Sequence, residues 1–282
     1  MWPFSKKTTI AASGILQGAV DHHSHILPGV DDGVETMDEA LRILAAYEDL
    51  GIKELWLTPH IMEDIPNTPQ KLKARFEELK AAYKGNIKLH LAAEYMIDNH
   101  LRQLLQETNK LRHSQCEGRC HEQSEVTEGS KTKNNCPSCV RGASNAVAEG
   151  DPPLLPIGNA GKHILVETSY YNAPMRMNDT LQQIKSFGYF PLLAHPERYM
   201  YLSNADYTKL HSQGVKFQLN LASLAGGYGK AVKKKAEWLL SNGLYSVAGT
   251  DLHSEDAIEY ITNCKLSEKE IELVERLLHN SI

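Results

Sequence analysis

The stretch DHHSHILPGVDDG, residues 21 to 33, holds three histidines and three aspartates in thirteen positions. Imidazole and carboxylate are the side chains that bind manganese, iron or zinc. In an extended strand, residues i and i+2 face the same way. His23 and His25 can therefore reach one ion from the end of a strand. Either this run is an accident of composition, or it opens a metal site that later segments complete.

Later segments do supply matching groups. A second apolar run, KELWLTPH (53–60), ends in His60, and IKLHLAAEY (87–95) reaches Glu94. HILVETSY (163–170) carries Glu167, and YFPLLAHPE (189–197) carries His195. LYSVAGTDLH (244–253) ends in Asp251 and His253, a second i, i+2 pair, and Asp32 lies in the loop after the first run. A lone histidine at a strand end is more often a hydrogen-bonded core residue than a ligand. Six strand-like runs ending in ligand types, two of them with paired ligands, favour a shared metal centre. Five histidines and four carboxylates exceed the needs of one ion, so two or three ions are expected, and such a centre activates water and clamps a phosphoryl oxygen. Arg198 follows in the run HPER. Alone it would read as a surface ion pair with Glu197; beside a metal cluster it reads as a phosphate-binding guanidinium. Tyr170, Tyr171, Tyr199 and Tyr201 fall near the same strand ends, where they either pack a flat substrate ring or line loops.

These groups need a scaffold that brings strand ends together. With VKFQLNLAS (215–223), seven strand candidates alternate with amphipathic helical runs, most ending in Gly. In the last helix, LSEKEIELVERLLHN, Ser267 and Glu270 are placed for a capping box. This alternation predicts an α/β fold with a parallel sheet. Closed on itself, it is a distorted seven-stranded (β/α)7 relative of the (β/α)8 barrel, whose C-terminal strand ends share one mouth. An open doubly wound sheet is the alternative, weakened by the missing G-x-G-x-x-G loop after the first strand. One domain over 1–282 is expected.

The 107–160 region breaks the rhythm with polar, small and turn residues. It reads as an insertion on the side of the barrel away from the mouth. Cys116, Cys120, Cys136 and Cys139 lie within it. Two thiolate pairs are candidate ligands for a structural zinc ion, with His113 and His121 as substitutes. A redox-active pair and a solvated loop with incidental cysteines are the other readings.

Composition limits the partners. The chain has 282 residues, 41% apolar and 23% charged, with a net charge of −5. No basic stripe offers itself to nucleic acid. The N-terminal run MWPFSKKTTIAASGILQGAV is too short and too interrupted for a signal peptide. No run approaches the ~18 apolar residues of a spanning helix. A cytoplasmic protein is expected.

In order and spacing, DHHSHILPGVDDG, LTPHI, AAEYMID, ILVETSY, LLAHPERY and GTDLH resemble the PHP (polymerase and histidinol phosphatase) superfamily. More closely they resemble the bacterial manganese-dependent protein-tyrosine phosphatases of capsule and exopolysaccharide operons. The resemblance covers residues 15 to 260 apart from the insertion. It implies a metal-dependent phosphatase that hydrolyses phosphotyrosine by direct attack of a metal-bound hydroxide, without a phosphoenzyme. It also implies two or three Mn²⁺ ions, Fe or Zn being alternatives in the same site. By the resemblance, His23, His25 and Asp251 hold the first ion; Glu94 bridges to the second, completed by Glu167 and His195; Asp32, His60 and His253 hold the third. Arg198, with His60 and Asp32, falls to the catalytic roles. The implied partner is a phosphotyrosine protein, the Tyr-rich tail of a membrane-associated tyrosine kinase. A second arginine usual shortly after D-x-H is missing from DLHSEDAIEYITN. The other readings are a related phosphoesterase on a small ester such as histidinol phosphate or a sugar phosphate, an amidohydrolase-like enzyme, and a non-catalytic phosphoprotein-binding module. Amidohydrolase-like enzymes often bridge their metals with a carbamylated Lys; no Lys ends a strand here.

Overall fold

Short breaks, one at a proline and one at a pair of alanines, divide two of the seven expected strands, and this division positions the site. The computed structural model describes residues 7–110 and 154–282. The four insertion cysteines and His113 and His121 lie outside them. The strands are β1 (Thr8–Thr9), β2 (Val20–Ser24), β3 (Glu54–Leu57), β4 (His60–Ile61), β5 (Lys88–Leu91), β6 (Glu94–Met96), β7 (His163–Glu167), β8 (Phe190–Ala194), β9 (Lys216–Asn220), β10 (Val247–Gly249) and β11 (Lys265–Leu266). The expected strand 53–60 ends at Leu57, and a new one begins at His60. Pro59 between them has no N–H for a sheet ladder. The strand 87–95 breaks likewise at Ala92–Ala93.

β2, β3 and β5 form one parallel sheet; β10, β9, β8, β7, β6 and β4 form a second, also parallel throughout. By changing sheets, the chain sets His60 directly opposite Glu94 in the β4–β6 register. The two sheets meet at the β10 edge. Asp251 N–H donates to His23 O at 2.8 Å, His25 N–H donates to Leu252 O at 2.9 Å, and Ser24 bridges Leu252 in parallel. The fold is thus mixed α/β with parallel sheets, as the alternation predicts. The small β1–β11 pair is antiparallel.

Helices follow the strands. Thr36 caps Met37–Asp49 through Glu39 N–H, and Thr68 caps Pro69–Ala82 with Pro at the first turn, where its missing N–H costs nothing. A helix also covers 99–110 of the described residues. The capping box of Ser267 and Glu270 forms at the last helix, and Ser203 and Asp206 make another. The sixth strand candidate stops at Asn220, whose side chain accepts from Ala222 N–H and starts the short helix Leu221–Ala225. Most of the apolar core lies between strands and helices, from Ile10 and Leu44 to Phe217 and Val274. A separate cluster, Trp56, Ala92, Ile157, Leu165, Leu192, Ala194 and Val247, draws on β3, β7, β8 and β10 together.

His163, at the start of β7, is buried, and neither ring nitrogen has a hydrogen-bond partner among the described residues. Burial, with Lys216 nearby, pushes its pKa down to about 4. The unfolded chain protonates this ring near pH ~6.5. The neutral ring's contribution to stability is therefore complete above that pH and is lost as pH falls towards 4. A His163→Leu protein should lose less stability than the parent between pH 6.5 and 5, by on the order of 1 kcal/mol after allowance for partial hydration. Melting temperatures compared across that interval check this, at roughly 2–4 °C per kcal/mol for a chain of this class.

Candidate metal centre

Strand ends carry the ligand types into one cluster. His23 and His25 leave the end of β2, where the pairing with β3 shifts register between Asp21 and Ser24. Glycine is required where backbone passes close behind them. A Cβ on Gly249 would meet His23 Cβ at 2.6 Å, and one on Gly33 would meet His25 O at 2.2 Å. His195 and Asp251 both adopt positive φ, 32° and 53°, as the chain turns out of β8 and β10. Non-glycine residues reach this region at an energetic cost and cluster at functional sites.

Glu94 is the hub. Its Oε2 lies 3.1 Å from His23 Nε2, 3.3 Å from His25 Nε2 and 3.4 Å from His60 Nδ1, and its Oε1 lies 3.1 Å from His195 Nε2. Asp251 Oδ1 lies 3.4 Å from His23 Nε2 and 3.5 Å from His25 Nε2. Glu167 Oε1 is 3.3 Å from His60 Nδ1. Asp32 Oδ1 reaches His60 Nε2 at 3.4 Å and His253 Nε2 at 3.7 Å. All nine residues singled out in the sequence are in this cluster. Their ligand atoms fall into three groups, each within 4.8 Å: His25, Asp32, His60 and His253; His23, Glu94, His195 and Asp251; His60, Glu94 and Glu167. The partition implied by the resemblance differs here in detail. His25 stands with the outer group, His195 with His23 and Asp251, and His60 joins two groups.

The electrostatics suit cations. Seven of the nine are buried; Asp32, its side chain 65% exposed, and His253, 34%, face the opening. Burial would raise the Glu94 carboxyl, but the charge of His23 and the hydrogen bond from His195 to Oε1 hold it well below the usual range. Burial, then Glu94 and Asp251, pushes Glu167 well above it. Burial opposes charge on His23, yet Glu94 and Asp251 outweigh it and raise the imidazole to about 9. Glu94 Oε2 and His60 Nδ1 are buried without a hydrogen-bond partner among the described residues. Converging buried nitrogen and oxygen donors, two of them orphaned and none a thiolate, fit divalent metal ions.

An outer layer that sequence reasoning missed aims these ligands. Asp31 Oδ2 lies 2.8 Å from His25 Nδ1 and accepts His60 N–H at 3.0 Å. Gln218 Oε1 lies 2.9 Å from His23 Nδ1, and Tyr199 Oη 3.3 Å from His195 Nδ1. Asn220 Nδ2 donates to Asp251 Oδ2 at 2.7 Å, and Tyr170 Oη to Glu167 Oε2 at 3.2 Å. This layer's one trace in the sequence is faint: the sixth strand lacks a ligand type, and Gln218 and Asn220 are a polar i, i+2 pair in an apolar run that the structure buries. An acceptor on Nδ1 keeps the proton there and turns Nε2 toward the cluster. Gln218→Leu and Asp31→Asn should each weaken metal binding roughly 10–100-fold, read as free metal against a chelator, with Gln218→Glu restoring most of the loss at the first position.

Arg198 is not the surface partner of Glu197. Its Nη1 donates to Asp251 Oδ2 at 3.3 Å. Glu197 is fully buried and accepts from Asn220 N–H at 3.0 Å and Tyr245 O–H at 2.9 Å. Desolvation in that pocket raises its carboxyl to about 7. Of the four tyrosines, Tyr199 is buried, Tyr170 and Tyr171 are exposed, and Tyr201 lies between, with Tyr170 against Arg198. A guanidinium beside a set of metal-binding groups suits a phosphate ester.

Comparison with known proteins agrees with this chemistry. The family model described as capsular polysaccharide synthesis, CpsB/CapC, matches residues 19–134 and 154–269. The tyrosine-protein phosphatase YwqE of Bacillus subtilis is 24% identical over 241 residues, covering 83% of this chain and 77% of that protein. The tyrosine-protein phosphatase CpsB of Streptococcus pneumoniae is 23% identical over 246 residues, 84% of each chain. A crystal structure from work on YwqE and CpsB, described as unique metal-dependent tyrosine phosphatases, superposes with a TM-score of 0.64 at 21% identity, covering 93% of this chain and 95% of that one. At that identity the likeness establishes a shared fold.

Proposed function

The chain belongs to the CpsB/CapC family of capsular polysaccharide synthesis, and from that premise we propose that it is a metal-dependent protein-tyrosine phosphatase. The observation that carries the reading is the meeting of nine imidazole and carboxylate side chains at the strand ends with Arg198 against Asp251. We take the seven strand stations, β2, β3/β4, β5/β6, β7, β8, β9 and β10, as a distorted PHP-type barrel closed where β10 meets β2, and residues 1–282 as one domain.

His23, His25, Asp32, His60, Glu94, Glu167, His195, Asp251 and His253 would hold two or three divalent ions, Mn²⁺ by preference, with Fe or Zn accepting the same donors. Bound there, such ions supply a water acidic enough to act near neutral pH and positive charge opposite the phosphoryl oxygens. The protein's own groups do the rest. Arg198 binds a phosphoryl oxygen and meets the charge that grows as the P–O bond to tyrosine breaks. Asp31, Gln218 and Tyr199 hold the imidazoles in place. His60 and Asp32, at the outer group, stand nearest the entering phosphate. Water adds to phosphorus, the phenol leaves, and inorganic phosphate is the second product. Among the described residues the one cysteine is Cys264, buried in the core.

The substrate in this reading is a phosphotyrosine protein, the Tyr-rich tail of a membrane-associated kinase acting in capsule or exopolysaccharide synthesis. The site of action is the cytoplasm; no helix of the described residues is long and apolar enough to cross a membrane. Chelator-stripped protein given Mn²⁺ should release phosphate from a phosphotyrosyl peptide, and the His23→Ala, His25→Ala double variant should not. Faster release from histidinol phosphate or a sugar phosphate than from the peptide would move the assignment to a small-molecule esterase.

A further inference from the structure

The Arg198 guanidinium lies over two tyrosine rings. Its guanidinium carbon lies 3.8 Å from the centroid of the Tyr170 ring and 4.1 Å from that of Tyr228. The three residues come from three successive segments, after β7, after β8 and after β9. Each partner is anchored: Tyr170 O–H donates to Glu167, and Tyr228 Oη accepts from Asn220 Nδ2 at 3.3 Å. A guanidinium that packs against aromatic rings keeps its N–H donors in its edge. One N–H is committed to Asp251; the other edge donors remain in the plane that an anion must approach. An unrestrained arginine would spend binding energy on ordering its long side chain. That matters more in this chain, because the segment after Asp251-Leu252-His253 carries no arginine to share the load.

We propose that Tyr170 and Tyr228 are positioning residues that pre-organise Arg198 for a phosphoryl group, the two rings acting as a clamp. The proposal rests on the phosphatase reading for its substrate, but the clamp binds an anion with or without turnover. Tyr228 is the informative partner. Among the described residues its hydrogen bond is to Asn220 and its ring contact to Arg198, not to any of the nine candidate ligands, and it is 39% exposed, so its truncation spares the core.

The experiment uses the full chain loaded with Mn²⁺, comparing the parent, Tyr228→Ala, Tyr228→Phe, Arg198→Ala and the Tyr228→Ala, Arg198→Ala double variant. Two quantities are read: the affinity for inorganic phosphate by calorimetry, and kcat and KM on a phosphotyrosyl peptide. Tyr228→Ala should weaken phosphate binding and raise KM on the order of tenfold, with a smaller change in kcat. Tyr228→Phe should recover most of that loss, since the ring does the stacking. In the Arg198→Ala background, Tyr228→Ala should add nothing. Unchanged phosphate affinity in Tyr228→Ala, no rescue by Phe, or an equal loss with and without Arg198 would each overturn the clamp. A parent that releases no phosphate with any divalent metal would instead overturn the phosphatase reading, while calorimetry still decides the clamp. Metal content and melting temperature matched to the parent exclude misfolding as the cause.

Discussion

Glu94→Gln is expected to strip the centre of its metal and to slow phosphate release from a phosphotyrosyl peptide on the order of 10³-fold. That exceeds the roughly 10–100-fold typical of partners one layer out. Three imidazoles, from His23, His25 and His60, approach one oxygen of this carboxylate, and His195 approaches the other. Glu94 also belongs to two of the three ligand groups. Gln keeps the shape but replaces an anionic oxygen with a neutral oxygen or an N–H donor, which cannot ligate. It also leaves buried imidazolium charge without its strongest compensation, a costly condition in a low-dielectric site. Asp32→Asn is the internal comparison. Asp32 is largely exposed and belongs to one group only, so its loss should remove less metal and less activity. Elemental analysis of the purified variants, beside initial rates at saturating Mn²⁺, checks both. Full metal content and rate in Glu94→Gln would remove Glu94 from the hub.

The clustered residues were legible because all but Asp32, which lies in a loop, are titratable types at the end of an apolar run, where a folded core has no structural need for them. His23 with His25 and Asp251 with His253 carried the pattern further as i, i+2 pairs, although Asp251 lies beyond β10 at a φ of 53°, so that strand periodicity does not itself place the second pair. Three things were not legible. The breaks at Pro59 and at Ala92–Ala93 move His60 and Glu94 into the other sheet; run length and hydrophobicity do not separate one bent station from one straight strand. The sharing of ligands among the groups depends on side-chain packing within a few ångströms, below anything spacing resolves. The outer layer was hidden by its residue types. Asp31 sits beside a more conspicuous Asp32, and Gln218 and Asn220 are amides that ordinarily mark surface or turn positions. The place of Glu197 was equally hidden: a glutamate beside an arginine offers a surface pair as one reading, whereas this one turns inward to Asn220 and Tyr245.

Arg198→Ala should cost roughly 10²–10³-fold in kcat/KM, the scale found when one preorganised donor to a developing oxyanion is removed, while leaving bound metal close to the parent level. The separation follows from position. The guanidinium's hydrogen bond to the cluster runs to Asp251 Oδ2, which also keeps its hydrogen bond from Asn220. Metal ligation therefore does not depend on it, whereas binding of an anion does. Arg198→Lys should rescue little. An ammonium keeps the charge but not the planar fork, and it cannot fill the slot between two tyrosine rings with the same donors in its edge. The expected fold-change is also large because it is not shared: the segment 251–263 contains no second arginine. If Arg198→Ala instead retains its rate while Glu94→Gln loses it, phosphate recognition lies with the metal ions alone. If Arg198→Ala loses metal as well as rate, its contact with Asp251 is part of the ligand scaffold and the guanidinium has no separate role toward phosphate. Only a loss of rate with metal retained fits a guanidinium aimed at the phosphoryl group.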